Sequence, residues 1–307
     1  MFDLIIIGGS AAATSAGIYA ARRNLNFKII TKEFGGEVAT SGEIGNWPGD
    51  GMTDGLKLAD KFKAHLKMYN VILEEGVTVE KITKKEDGIF LITASKDGES
   101  GVGYSAKSVI VATGVHPREL NIPGEKSFRG KGVTYCTTCD GPLFVNKDVA
   151  VIGGGNSALE AGLMLAEIAT KVYVVNKNAT FKGDQILIDK LAKHPKVEIM
   201  YEVSSKEVVG DKFVTGLKYT DKTGVEKELK VNGIFVHIGM VPNSNIVPED
   251  VAKNKFGEII VNTRCETNIP GLYAAGDVSD VAFKQIVIAA GQGCTAILSA
   301  VQYLNTK

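Results

Sequence analysis

Four cysteines in 307 residues are too few for a secreted scaffold stapled by disulfides, and a chain of this length buries enough core to need no staples. Net charge is missing too: 35 Lys and Arg balance 35 Asp and Glu. That balance excludes the broad positive field through which nucleic acid and anionic membranes are bound. No apolar run reaches the ~20 residues of a bilayer span. The longest, Ile286 to Val301, is expected to be broken by Gly291, Gln292 and Gly293. A basic leader is also lacking, because the chain opens Met1-Phe2-Asp3 and its first apolar segment runs straight into glycines. The expectation is a soluble, cytoplasmic protein with no nucleic-acid or membrane partner. Its length predicts about two domains.

What the chain does have is glycine, 35 residues of it, placed in a repeated construction. The apolar strand Leu4-Ile5-Ile6-Ile7 meets Gly8-Gly9-Ser10-Ala11-Ala12-Ala13, then a helical run through Arg22 and a strand over 27–30. The construction returns as Val149-Ala150-Val151-Ile152, Gly153-Gly154-Gly155-Asn156-Ser157-Ala158, a helical run through Ala169 and a strand over 171–175. Strand, glycine turn, helix and strand make a dinucleotide-binding βαβ unit. Each copy is followed by an alternating, turn-rich stretch (82–94 and 213–231) that reads as β-meander, and then by a buried strand ending in Gly114 or Gly239. The segments 257–261 and 271–277 and an apolar helix from about Phe283 to Leu304 complete the first unit. The predicted fold is therefore α/β: two Rossmann-like, three-layer ββα dinucleotide-binding domains. Residues 1–114 and 244–307 form the first and residues 115–243 the second, inserted one, with crossings marked by Pro117 and Pro242.

In the first turn Gly8 permits the bend, Ser10 lets backbone approach a pyrophosphate, and Ala13 keeps the helix near the strand. The helix start offers free N–H groups to phosphate. A tight structural turn explains the isolated hexapeptide equally well, but its recurrence at a matched position favours nucleotide binding. In the second turn Gly153, Gly155 and Ala158 fit the pattern better. The next strand ends in Asn176-Lys177-Asn178, with Lys182 beyond. An acid there would bind a ribose 2′-hydroxyl and an arginine a 2′-phosphate, and the chain has neither. Lys177 and Lys182 suit a phosphate or plain solvated surface.

Between the halves stands Thr134-Tyr135-Cys136-Thr137-Thr138-Cys139-Asp140-Gly141-Pro142. Two thiols separated by two residues close a disulfide reversibly, and a helix N-terminus lowers a thiol pKa. Asp140-Gly141-Pro142 reads as such a helix start, and the Asp140 carboxyl next to Cys139 is placed to pass protons during exchange. A structural zinc is not expected: Cys265 and Cys294 form no second pair, and His65, His116, His194 and His237 are scattered. Cys265 and Cys294 read as structural.

These residues resemble the low-molecular-weight thioredoxin reductases, which are FAD-dependent pyridine nucleotide-disulfide oxidoreductases, over essentially the whole chain. The motifs that carry the resemblance are Gly8 to Ala13, Gly35-Gly36-Glu37-Val38 leading to Asn46-Trp47-Pro48-Gly49, Ala112-Thr113-Gly114, the Cys136 to Asp140 box, Gly153 to Ala158, and Ala274 to Val278 followed by Lys284-Gln285. The resemblance implies FAD held in the first domain by Gly8, Ser10, Ala11, Ala13, Thr31, Lys32, Gly35, Gly36, Glu37, Val38, Asn46, Val79, Ala112, Thr113, Gly114, Gly276, Asp277, Lys284, Gln285 and Ile286. It implies NADPH or NADH held by Gly153, Gly155, Asn156, Ser157, Ala158, Asn176, Lys177, Lys182, Ile238 and Gly239. Glu37 stands where the family usually has Gln, Gly45 replaces a common acid, and Met240 replaces a frequent polar residue.

The second half, from Phe181 through Cys265-Glu266-Thr267 to Tyr303, is also similar to the flavoprotein component of alkyl hydroperoxide reductase. That relative carries an extra N-terminal thioredoxin-like domain, whose role here is expected to fall to a separate protein. The implied activity is thioredoxin-disulfide reduction by a homodimer. Electrons pass from NAD(P)H through FAD to the pair, with Cys136 attacking the external disulfide, Cys139 facing the flavin and Asp140 handling protons. Rotation about the two crossings is expected to bring the pair to both of its partners. Alternatives are an NADH-linked reductase of a glutaredoxin-like or peroxiredoxin partner, a ferredoxin-driven flavin thioredoxin reductase, and a non-catalytic flavin sensor.

Overall fold

The computed structural model describes residues 1–41 and 43–306; Gly42 and Lys307, both inside the expected first domain, lie outside the described residues. The chain divides into two compact units. The first comprises Met1–Ser41, Trp47–His116 and the chain from Val241 onward; the second comprises Pro117–Met240 with the short segment 43–46. The two crossings pair with each other as a two-stranded sheet, Val115–Pro117 beside Met240–Pro242.

In the first unit the strand Phe2–Ile7 lies between Phe27–Ile30 and Glu99–Val111, parallel to both. Leu272–Ala274 adds a further parallel strand beside Glu99–Val111. The long Glu99–Val111 strand also pairs antiparallel with Phe90–Lys96, which pairs with Val77–Lys84, so one strand serves the parallel sheet and the meander. Pleating sends successive side chains to opposite faces. Leu4 and Ile6 pack with Ala12, Ala16 and Ala20 of the helix Ala11–Arg22 and with Ala296, Ile297 and Ala300 of the helix Ile286–Leu304. Ile5 and Ile7 pack with Val77, Ile82, Phe90 and Ile92 of the meander. A strand covered on both faces has to be apolar throughout, which explains the unbroken run 4–7.

The last helix is the one expected near 283–304; it continues through Gly291 and Gly293 and starts at Ile286 rather than near Phe283. It is long and apolar enough to cross a membrane by length and composition, but its inner face packs against the helix Ala11–Arg22. Gly293 makes that approach possible, because a Cβ there would collide with the Ala12 carbonyl. Interior glycine costs about 1 kcal/mol relative to alanine, and packing of the two helices offsets it.

The second unit repeats the scheme with five parallel strands in the order Val133–Thr134, Gly233–Val236, Asp148–Ile152, Lys171–Val175, Val197–Met200. Val149 and Val151 face the helix Asn156–Ile168 through Leu159 and Leu165. Ala150 and Ile152 face the meander Ser204–Gly210, Val214–Thr220, Glu226–Lys230 through Val208 and Leu217.

Candidate active site

Cys136 and Cys139 are joined as a disulfide, with Cα atoms 5.3 Å apart, and both are half-buried. The helix they occupy runs over Thr137–Asp140 and starts three residues earlier than the expected start at Asp140. Cys136 is itself the N-cap: its Sγ accepts from the Cys139 backbone N–H at 3.2 Å. Gly141-Pro142 then turns the chain into a short 3-10 segment, Gly141–Phe144, because the proline supplies no N–H to continue the α-helix.

Thr134 stands at the edge of the sheet, opposite Phe235. Its hydroxyl accepts from the Cys136 N–H at 3.2 Å and donates to Oδ2 of Asp140. Oδ1 of Asp140 is buried with no hydrogen-bond partner among the described residues. Burial pushes this carboxyl above the ordinary carboxylate range, and the bond from Thr134 pulls it partly back. A carboxyl shifted in that direction holds its proton to higher pH than an ordinary one and can release it to a neighbouring sulfur.

The segment leading to the pair is anchored on the buried Glu125. This carboxylate accepts from the backbone N–H groups of Leu120 at 2.8 Å and Asn121 at 2.7 Å and from the Tyr135 hydroxyl at 3.0 Å. The Arg129 guanidinium lies over the Tyr135 ring at 5.0 Å. Sequence reasoning missed Thr134 and Glu125 as site-building residues. It missed His237 as well, whose Nε2 lies 2.7 Å from the Thr137 hydroxyl.

In the first unit the expected cofactor residues converge. Gly8, with φ of 132°, has no room for a Cβ against the Ala112 carbonyl. The Gly35 N–H donates to the Gly9 carbonyl at 2.7 Å, and the Thr31 side chain borders Gly9. Gly276 lies against Ala12 and Ala289, so the turn 8–13 and the Gly276-Asp277 turn meet at the start of the first helix. That helix has Ser10 at its N-cap without a side-chain cap bond, which leaves its first N–H groups free for an anion. Burial raises Asp277 to about 6; the Lys284 cation opposes the rise, while Glu37 and Glu258 add to it. Glu37 and Asp277 therefore share one electrostatic environment.

Lys284 is engaged locally, bonding the carbonyls of Asp277 at 3.0 Å and Ser279 at 2.6 Å and pairing with Glu258 at 2.9 Å. Lys32 lends its carbonyl to the Gly76 N–H. Thr113 exchanges hydrogen bonds with Asn243, both at 2.8 Å, so these residues of the Ala112-Thr113-Gly114 motif tie the two crossings together. Val38 is buried, and Gln285 caps the last helix ahead of Ile286. Val79 packs against the meander core, and Asn46 groups with the second unit.

In the second unit a Cβ on Gly153, at φ of 151°, would meet the His237 carbonyl. Gly155 is the uncapped N-cap of the helix Asn156–Ile168 and borders open space. Ala158 is buried and Ser157 exposed. Asn156 is bonded to Asp184 through both side-chain atoms, at 3.0 and 2.7 Å. Asn176 is buried and its amide is consumed by its own loop: it accepts from the Asn178 N–H at 3.0 Å and donates to the Thr180 carbonyl at 2.9 Å. Lys177 and Lys182 are exposed. Gly239 is left-handed and accepts from the Arg118 N–H, and Ile238 lies against the meander core. Of the other cysteines, burial pushes the Cys265 thiol up to about 11, which keeps it protonated, while Cys294 is half-buried rather than buried.

A family model described as pyridine nucleotide-disulphide oxidoreductase matches residues 2–293. The chain belongs to this family. It is therefore an oxidoreductase with the two Rossmann-like domains of that fold. Its structure is similar to the crystal structure of thioredoxin reductase from Streptococcus pyogenes MGAS5005, with a TM-score of 0.93 and 34% identity over 100% of this chain and 99% of that one. Among curated relatives it is 41% identical over 304 residues to the "NADH dehydrogenase" of Bacillus subtilis, covering 99% of this chain and 58% of that protein. It is 41% identical over 307 residues to an alkyl hydroperoxide reductase component of Escherichia coli, again 99% of this chain and 58% of the relative. The chain thus spans about six-tenths of the length of these curated relatives.

Proposed function

We propose that this family member is an FAD-dependent, nicotinamide-driven protein-disulfide reductase whose acceptor is thioredoxin or a thioredoxin-like protein. The observation that carries the reading is the disulfide Cys136–Cys139 with the buried, half-partnered Asp140 carboxyl directly behind it. The residues of the first unit fit a dinucleotide: Gly8 lets the turn close against the Ala112 carbonyl, Gly276 brings its turn against Ala12 at the start of the first helix, and that helix presents uncapped N–H groups to a pyrophosphate. The Asp277 carboxyl, which burial keeps partly protonated near neutrality, suits hydroxyls of a polyol chain.

A bound flavin supplies the two electrons, drawn from reduced nicotinamide, that convert the disulfide to a dithiol. Two protons must accompany those electrons, and Asp140 is placed to deliver one to the sulfur beside it. In the reverse sense, Cys136 attacks the partner's disulfide as the thiolate, favoured by the Cys139 N–H that points at its Sγ. Cys139 then closes on Cys136 and expels the second partner thiol, so the external disulfide leaves as a dithiol while the internal one re-forms.

The same reading assigns NADH over NADPH. Guanidinium groups at the end of the second βαβ unit are the usual clamp for a 2′-phosphate; residues 176–184 hold no arginine, Lys177 and Lys182 are exposed, and the Asn176 amide is spent on its own loop. Its assembly is a homodimer, checked by light scattering. A second reading, with a glutaredoxin-like or peroxiredoxin acceptor, is favoured by the 41% identity to the alkyl hydroperoxide reductase component of Escherichia coli.

The test is anaerobic titration of the purified yellow protein with NADH or NADPH in separate cuvettes, followed by addition of oxidised thioredoxin. Bleaching by NADH at least tenfold faster than by NADPH, with reoxidation by thioredoxin in the wild type and not in Cys136→Ser or Cys139→Ser, is expected. Bleaching by dithionite but by neither nucleotide would overturn the nicotinamide assignment in favour of a one-electron donor such as ferredoxin. Reoxidation by a glutaredoxin-like protein or a peroxiredoxin instead of thioredoxin would select the second reading.

A further inference from the structure

His237 lies 100 positions beyond Thr137 in sequence, yet its Nε2 is 2.7 Å from the Thr137 hydroxyl. Its backbone is fixed independently of that bond. The His237 N–H donates to the Ile152 carbonyl at 2.8 Å, at the end of the central strand, and its own carbonyl occupies the space beside Gly153. Thr137 is buried and directly follows Cys136, so it forms the first residue of the redox helix. That helix has four residues, too few to hold its own shape in water. The first turn of the redox pair is therefore tied by one side chain to the rigid end of the parallel sheet.

We propose that His237 is a positioning residue of the redox pair: through its hydrogen bond to Thr137 it holds the Cys136 end of the short helix at the distance from Cys139 that favours closure of the disulfide. The inference rests on the pair being the working dithiol of the function proposed above. Burial brings His237 down to about 4, so the imidazole is neutral near pH 7 and the bond is one between uncharged groups. Neutral hydrogen bonds contribute about 0.5–1.5 kcal/mol net, and loss of one lowers the effective concentration of one thiol towards the other by roughly two- to tenfold.

The thiol–disulfide equilibrium of the pair is measured in glutathione buffers of graded ratio, by acid quench, alkylation and intact mass, on the holoprotein. His237→Ala and Thr137→Val are each expected to shift the equilibrium about five- to tenfold towards the dithiol; tenfold is about 30 mV for a two-electron couple. The double variant is expected to shift no further than either single one, because both remove the same bond. The amide of His237→Gln reaches about as far as Nε2 and is expected to return the equilibrium to within about twofold of the wild type. Thr137→Val is nearly isosteric and preserves the packing, and retained flavin content with a cooperative unfolding transition shows that a variant is folded. His237→Ala within twofold of the wild type, or shifts that multiply in the double variant, would overturn the proposal. The measurement needs neither nicotinamide nor a protein partner, so a wild type that fails to reduce thioredoxin would sink the proposed function and leave this result standing.

Discussion

The Thr134 hydroxyl is bound to Asp140 on one side and to the Cys136 N–H on the other, so a single side chain links the Asp140 carboxyl to the backbone of the first cysteine of the disulfide. It leaves the other oxygen of Asp140 buried and, among the described residues, unpartnered. Desolvation of a carboxylate that receives one hydrogen bond instead of several favours the protonated acid.

Replacement of Asp140 by Asn removes the proton but keeps the shape. Turnover with a protein disulfide is expected to fall by roughly 10²-fold or more, the usual weight of a general acid, while bleaching of the flavin by NADH keeps its wild-type rate. Thr134→Val removes the one contact that lowers the Asp140 pKa. Because an acid donates only below its pKa, the alkaline limb of the kcat profile is expected to move to higher pH in Thr134→Val. A limb that stays in place would remove Asp140 from the proton path.

Asp277 is raised by burial to about 6 from an ordinary value near 3.8. A carboxyl raised on folding takes up protons, so its presence costs stability as pH climbs through that window and most fully above it. In the flavin-free protein, Asp277→Asn is expected to raise the unfolding free energy at pH 8 by about 1–2 kcal/mol, discounted for partial exposure, with little gain at pH 4. The same substitution is expected to weaken flavin retention on gel filtration. Denaturant midpoints at the two pH values check the first part, and unequal gains are required.

His237 has the opposite sign. Its value falls to about 4 from an ordinary 6.5 because burial disfavours the imidazolium. The unfolded chain binds the extra proton, so this contribution is fully present above about pH 6.5 and is lost as pH falls towards 4. The loss amounts to about 2–3 kcal/mol at most. Denaturant titrations between pH 7 and 4 are expected to show a shallower decline for His237→Gln than for the wild type; parallel curves would contradict the burial of a neutral imidazole.

Much of the molecule was legible along the chain. The runs 4–7 and 149–152 are apolar without alternation, a pattern that belongs to strands covered on both faces, and the sheets show both faces filled. The turns at Gly8 and Gly153 were readable because only glycine adopts those backbone angles beside a neighbouring carbonyl. Cys136, Cys139 and Asp140 were readable because their chemistry is local.

The last helix passes through two glycines for a physical reason. Glycine is a poor helix former by propensity, but Gly293 sits where the Ala12 backbone leaves no room for a side chain, and packing across that contact outweighs the local cost. The start of the redox helix was placed late because the Asp-Gly-Pro signal is strong in isolation. The cap is instead the Sγ of Cys136, and sulfur is not among the usual capping acceptors that a sequence pattern signals.

The sequence by itself determined where two thiols stand beside a carboxyl and which turns suit a dinucleotide, because both depend on groups within a few positions of one another. Only the tertiary structure decided what surrounds that chemistry: Thr134 on Asp140, Glu125 under Tyr135, His237 on Thr137, and the Glu37 charge felt by Asp277. These pairings are made where strand ends and loops from distant parts of the chain meet. Their strength comes from burial, and burial is a property of the packed layers rather than of any local stretch of sequence.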